Sequence, residues 1–202
     1  KIYISANKRV SEKYLLEFAK NNADYIEKNL KKEPTKLRYI IPNLSEKNQG
    51  TAFVFGKEYC YKFIFDERKS VEFSDDILII SAQNTAIGQG ILEEFYKMKL
   101  KIAVDEINGQ IYDVFKNFGV DLPNINFRKM KSRWGSCHYN KNKIFFKTAL
   151  AAAPMECIFY VLFHEYTHFL YPNHQKEFHD FVGKFIPQYK QIKCQLNIYD
   201  KC

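Results

Sequence analysis

Residues 155–174 read Met-Glu-Cys-Ile-Phe-Tyr-Val-Leu-Phe-His-Glu-Tyr-Thr-His-Phe-Leu-Tyr-Pro-Asn-His, and the run His164-Glu165-Tyr166-Thr167-His168 within them decides how the chain is read. On a helix, positions four apart share a face, so both imidazoles turn toward one point. Two neutral imidazoles with open positions around them suit zinc. Glu165 lies about 100° around the helix from His164, by the 3.6-residue turn, so it is not a natural third ligand beside them. It is placed instead to act as general base toward a metal-activated water. The competing reading is a pair of surface or core histidines on a helix. The apolar flanks Phe159, Val161, Leu162, Phe163, Phe169 and Leu170 weigh against it, because an ionisable cluster in such surroundings needs a reason.

Catalytic zinc takes three protein ligands, and His174 is the best candidate for the third. Pro172 ends the metal helix and Asn173 is suited to cap the next one, so His174 falls where the chain turns back. Glu177 is the rival ligand, and His179 and Asp180 are candidates to orient a ligand imidazole. The spacing HExxHxxxxxH is shared with metzincin proteases, whose pattern is HExxHxxGxxH followed by a Met-turn. Tyr171 occupies the Gly position here, and Met98, Met130 and Met155 all precede His174, which excludes that group.

Outward from this stretch, the 202 residues carry 31 Lys+Arg against 23 Asp+Glu, a formal charge of +8. Hydrophobic residues at 46% exclude disorder as the main state, and 18 Phe with 14 Tyr supply a sizeable core. The first and third quarters of the chain are each +5, the second is −2 and the last is neutral. Within 128–147, seven cations (Arg128, Lys129, Lys131, Arg133, Lys141, Lys143, Lys147) stand with no acid. The zinc helix therefore lies in a neutral quarter beside an acid-free basic stretch. No apolar run approaches the roughly 18 residues of a membrane helix, and the best, 157–163, stops early. Five cysteines with no CxxC spacing indicate neither a disulfide framework nor a Cys-rich zinc site. Lys1 opens straight into Ile2-Tyr3-Ile4 with no secretory leader, so a reducing cytoplasm is the expected location.

The expected organisation is a β-rich subdomain with one helix over 1–83 and a zinc hydrolase domain over 84–202. A helix is expected over 10–32, capped by Ser11, with Tyr14, Leu15, Phe18, Tyr25 and Ile26 on its stripe. Residues 31–50 read as a loop. The near-alternation Phe53, Phe55, Tyr59, Tyr61, Phe63, Phe65, continued by Val71, Phe73, Ile77 and Ile79, predicts three or four antiparallel strands over 51–81. A long helix over 84–118 is capped by Thr85, with Gly109 a point of interruption and Gly119 a stop. Strands over 124–131 and 143–148 flank a Gly-containing segment. Pro154 suits the first turn of the zinc helix, which runs to about Tyr171. A last helix covers 173–196, bent at Pro187.

The segment Arg133-Trp134-Gly135-Ser136-Cys137, the strand that follows it, Pro154, Tyr160-Val161, HExxH and Asn173-His174-xxx-Phe178 together resemble the YgjP-like metallopeptidase family, and more distantly the SprT and Wss-type zinc proteases. Gly56-Lys57-x-Tyr59 is similar to the N-terminal half of that family. The resemblance implies an α+β fold: a zincin-like C-terminal half preceded by an antiparallel sheet and a helix. It also implies zinc (Zn2+) on His164, His168 and His174, with Glu165 catalytic. Lys147 and His179 stand where the family usually has Asn and Trp. Within the RWGSC segment, Trp134 is read as a packing residue and Gly135 as a tight turn. Arg133 is the candidate oxyanion or anion-binding group, with Lys131 and His138 behind it; a structural salt bridge is the competing role. Lys131, Arg133, Trp134 and Ser136 form the expected substrate wall, and Cys137 reads as a small buried hydrophobe.

The leading function is thus peptide-bond hydrolysis, with the 143–148 strand offering its edge to an extended peptide. The first alternative, implied by the resemblance, is a metal-dependent nucleoside triphosphate (UTP) pyrophosphatase. The cationic stretch suits a triphosphate, but no GxxxxGK[ST] loop is present. The second is a nucleic-acid-associated protease, which the basic balance permits and no reading motif supports.

Overall fold

Apolar side chains that alternate between Ala52 and Ala82 need one face of a sheet to bury them, and the protein builds that sheet from four strands. The structure, a computed structural model, describes residues 40–196, all within the compact unit Leu37–Cys202. The helix expected over 10–32 and positions 31–39 of the loop expected over 31–50 lie outside the described residues. Strand β1 (Gln49–Val54) and β2 (Lys57–Phe65) form a hairpin closed by Phe55-Gly56. Both turn residues have positive φ, 52° and 78°, as a two-residue type I′ turn demands. β3 (Ser70–Ser74) and β4 (Ile77–Ala82) form a second hairpin.

The sheet is mixed, not antiparallel throughout. Its order is β1-β2-β4-β3, and β4 pairs parallel to β2. Burial explains the insertion. Leu78, Ile80 and Ala82 of β4 are fully buried, whereas β3, Ser-Val-Glu-Phe-Ser, has no buried residue and takes the edge. A polar strand at the centre would lose the burial that Leu78 and Ile80 gain, each about 1.5–3 kcal/mol.

Helix α1 (Thr85–Lys116) packs Leu92, Phe95, Tyr96 and Leu100 into the core under this sheet, and the Tyr96 hydroxyl donates to the Phe53 carbonyl at 2.8 Å. Its cap is Asn84 rather than Thr85: the Asn84 Oδ1 accepts from the Ile87 N–H at 2.9 Å. Gly109 does not interrupt the helix.

The second sheet comprises β5 (Asn124–Arg128), β6 (Gly135–His138) and β7 (Lys143–Lys147), in the order β5-β7-β6. β7 is therefore central, paired on both sides, and cannot offer an edge. The edges belong to β5 and β6, and the sequence pattern presented β6 only as a Gly-containing segment. A 3-10 turn, Thr148–Ala152, leads into α2 (Met155–Thr167). The Phe55 and Gly56 N–H groups donate to Ala151 and Ala152 carbonyls at 2.8 and 3.0 Å, so the first hairpin's tip holds the start of α2.

α2 stops at Thr167, four residues before the expected end, and the chain turns through 168–171. The expected helix over 173–196 is two helices, α3 (Lys176–Phe185) and α4 (Tyr189–Leu196). Pro187 divides them: it has no N–H to donate and pushes its neighbour out of the helical region, and Ile186 sits at φ −130°, ψ 78°. The described residues thus form an α+β fold of four α-helices and two mixed sheets around one buried cluster reaching from Leu44 to Leu196. No described helix is long and apolar enough to cross a membrane.

Candidate metal centre

Helix α2 is buried on most of its circumference, because β6 and three helices pack against it. Tyr166 anchors it to α1 through a 2.7 Å hydrogen bond from its hydroxyl to Asn108 Oδ1. Thr167, fully buried, donates its hydroxyl to the Phe163 carbonyl one turn back, which satisfies it without a partner elsewhere. A helix held this firmly fixes His164 and His168 one turn apart.

His174 reaches the same point from the loop between α2 and α3. The ligating atoms of His164, His168 and His174 lie within 4.8 Å of one another, and the His164 and His174 Nε2 atoms are 2.9 Å apart. His174 is not inside a helix: α3 begins at Lys176 with Gln175 as its cap, so Asn173 does not cap it. Below the three imidazoles lies Phe178 of α3, 1% exposed, its ring centroid 4.7–4.9 Å from each of theirs. One aromatic side chain therefore floors the whole cluster.

These residues fit a divalent ion of the zinc type. Burial, then repulsion from His168 and His174, holds His164 well below the ordinary imidazole pKa. Burial and His174 bring His168 to about 4. His174 is lowered by burial, His179, Lys193 and Arg133. All three keep ring lone pairs free at neutral pH, as metal ligands must. His168 Nδ1 donates to the Tyr171 carbonyl at 3.3 Å, which leaves its Nε2 as the ligand atom. The buried His164 Nδ1 has no partner.

Glu165 is 5% exposed and lies under β6. Gly135 makes this possible. A Cβ at position 135 would stand 2.5 Å from Glu165 Oε1 and 2.7 Å from its Cγ, closer than any real contact. The glycine serves approach of strand to carboxylate, not the tight turn expected of it. Burial pushes the Glu165 carboxyl up to about 8, against the Arg133 guanidinium and the Cys137 N–H, which both favour the charged form.

A cavity of about 600 Å³ opens over the cluster. Of the expected substrate wall, Arg133, Trp134 and Ser136 line it, and Lys131 does not. Trp134 also packs: its Nε1–H donates to the Leu196 carbonyl at 3.3 Å, and Lys147 lies 4.8 Å from its ring centre. The Ser136 hydroxyl is buried without a partner. Cys137 lines the cavity, and burial pushes its thiol up to about 12, so it stays neutral. His138 lies off the cavity, edge-on to Phe145. Glu177 and Asp180 are exposed and outside the lining. His179 is inside it, stacked on Tyr189 at 6.1 Å.

Lys193 and Leu196 also line the cavity, and sequence reasoning gave neither a place in the site; Tyr160, which entered only through the family resemblance, lines it as well. No spacing rule ties α4 to α2. The one available signal was Gly135 itself, since a glycine in a strand pattern often marks close approach of another group.

No curated protein matches the chain. Among solved structures, it is similar to the metallopeptidase zymogen of Pyrococcus abyssi abylysin at 21% identity, over 50% of this chain and 90% of that one, with a TM-score of 0.36. A family model described as YgjP-like, metallopeptidase domain, matches residues 1–199. With that model spanning nearly every position, the HExxH helix and the RWGSC strand included, the chain belongs to the YgjP-like metallopeptidase family.

Proposed function

We propose that the protein is a zinc-dependent peptidase in which His164, His168 and His174 hold the ion and Glu165 is the general base. The observation that carries this reading is the placement of Glu165, a buried carboxyl held under β6 immediately beside three converging neutral imidazoles. When bound, zinc polarises a carbonyl and lowers the pKa of water. The chain's own residues do the rest. A carboxyl whose pKa lies near neutrality accepts a proton from water and returns it to a leaving amine without a large penalty in either direction. The Cys137 N–H and Arg133 keep that carboxylate oriented as it cycles between its two states. Arg133, at the cavity wall, is the group available to an oxyanion.

β6 supplies the remaining requirement. It is an edge strand of its sheet, and it lines the cavity through Gly135, Ser136 and Cys137. An extended peptide laid along it would present its carbonyls to the site by strand addition. Among the described residues, Glu165 is the only carboxylate in the cavity lining, so they do not present the carboxylate-rich divalent site usual for triphosphates.

The test pairs metal analysis with Glu165→Gln. The wild type is expected to bind about one zinc per chain, by its single three-ligand site, and to cleave unstructured peptides. The variant is expected to keep the zinc and lose roughly 10²–10⁴ in kcat. Retained turnover would remove Glu165 as the base, and a protein that takes up no zinc would remove the metal reading.

A further inference from the structure

The cavity wall carries two cations from distant parts of the chain, Arg133 just before β6 and Lys193 on α4. Among the described residues, no carboxylate lies within ion-pair distance of either. The single acid in the lining, Glu165, is buried under β6 and committed there. The Ser136 hydroxyl, buried and unpartnered, belongs to the same wall. Among the described residues, the cavity wall is thus rich in positive charge and poor in accessible negative charge.

This arrangement is costly for a metal site. Two cations in one cavity wall, with only the buried Glu165 carboxyl among the described lining residues to offset them, repel a divalent ion beside them. An anionic group arriving with the substrate removes the cost. Arg offers a planar fork that matches a carboxylate, Lys a mobile point charge, and Ser136 a hydroxyl donor.

We propose that Lys193 and Arg133 form a carboxylate-binding subsite, so that the peptides this enzyme prefers carry a carboxylate close to the scissile bond. The inference rests on the peptidase reading and adds the substrate class to it. The carboxylate has two sources, the free C-terminus of a peptide or an Asp or Glu side chain.

The experiment uses three matched peptides: one with neutral side chains and an amidated C-terminus, the same peptide with a free C-terminus, and the amide with Glu in place of one Gln. Each is assayed for cleavage by the zinc-loaded protein and for binding to the metal-free protein by calorimetry. At least one acidic peptide is expected to exceed the neutral amide by about tenfold in kcat/KM, chiefly through KM, and in affinity. Which one does so identifies the source. Lys193→Met, which keeps the apolar stem, is expected to bring the ratio close to one, and Lys193→Arg to preserve it.

Equal handling of all three peptides overturns the subsite. So does an acid preference that survives Lys193→Met. Lys193-dependent binding of inorganic pyrophosphate about tenfold tighter than either acid overturns the carboxylate assignment in favour of phosphate. Acid-selective binding without any cleavage leaves the subsite standing and removes the peptidase reading. Cleavage without acid preference does the reverse.

Discussion

Glu165 and position 135 compete for one volume. The space a side chain at Gly135 would take is filled by the Glu165 carboxylate, so Gly135→Ala is expected to displace that carboxylate rather than unfold the protein. Overpacking of this kind costs about 1–3 kcal/mol. In a double-mutant cycle, Gly135→Ala is expected to cost much less in a Glu165→Ala background, because the clash is then gone. Additive costs would show that residue 135 acts through the backbone alone. The same carboxyl, together with the histidines, sets how stability depends on pH in the metal-free protein. Glu165, raised to about 8 from an ordinary value of 4.5, holds a proton in the folded state that the unfolded chain has released. Its contribution is present below 4.5 and lost as pH rises through 8. The three histidines, lowered from 6.5, bind fewer protons folded than unfolded, so their contribution is present above 6.5 and lost as pH falls below it, for His168 through about 4. Between 4.5 and 6.5 three imidazoles outweigh one carboxyl. The melting temperature in chelator is therefore expected to peak near pH 6.5, read by calorimetry between pH 4 and 9; a continuous rise through pH 8 would contradict the buried state of Glu165.

Two elements that brace α2, the β1-β2 hairpin and α3, can each be tested without touching a candidate ligand. The β1-β2 hairpin reaches its N-terminus, where Gly56 at φ 78° packs so closely that a Cβ would come 2.7 Å from Pro154 Cγ. Gly56→Ala combines that contact with a left-handed backbone, and is expected to destabilise by roughly 1–3 kcal/mol while leaving ligand spacing on α2 intact. A denaturant midpoint equal to that of the wild type would show that the hairpin does not brace α2. α3 carries Phe178 beneath all three imidazoles. Phe178→Ala is expected to cost about 3–5 kcal/mol and to weaken zinc binding, and Phe178→Leu to lose far less of either. Competition with a chromogenic chelator reads the affinity. Much of this element layout was legible beforehand, as periodicity and Pro or Gly punctuation mark α1, α2 and the first two strands. β6 was not legible: Gly-Ser-Cys-His has too few apolar residues for a period to show, and it becomes a strand because β7 pairs with it. The parallel pairing of β4 with β2 was hidden for a similar reason, since alternation reveals a strand's faces but not its neighbours.

At the scale of the whole molecule, the histidine cluster ties α2 to the loop that leads into α3 and α4. His164 and His168 belong to α2, and His174 to the loop that carries α3 and α4 away from it. An ion bound to all three favours the folded state by mass action, about 4 kcal/mol at a thousandfold excess over Kd. Stripping the protein with chelator is expected to lower its melting temperature and abolish cleavage, and zinc to restore both. A melting temperature indifferent to added zinc would mean that the cluster does not hold the ion. The charge distribution also changes meaning at this scale. Of the seven cations within 128–147, only Arg133 lines the cavity, and its companion there, Lys193, comes from the neutral last quarter.

The sequence by itself determined the chemistry. His164, Glu165 and His168 owe their relation to helical periodicity, a property of neighbours along the chain, and His174 to a turn enforced by Pro172. Family membership followed from the same local motifs. Only the tertiary structure decided the environment in which that chemistry runs. It pressed β6 onto Glu165 across Gly135, set Phe178 under the imidazoles, moved the open edge from β7 to β6, and brought Lys193 into the wall while leaving Lys131 outside. Each of these depends on groups far apart in the chain meeting in space. No local pattern encodes such a meeting, because it is the packing of the shared core, not the spacing of residues, that selects it.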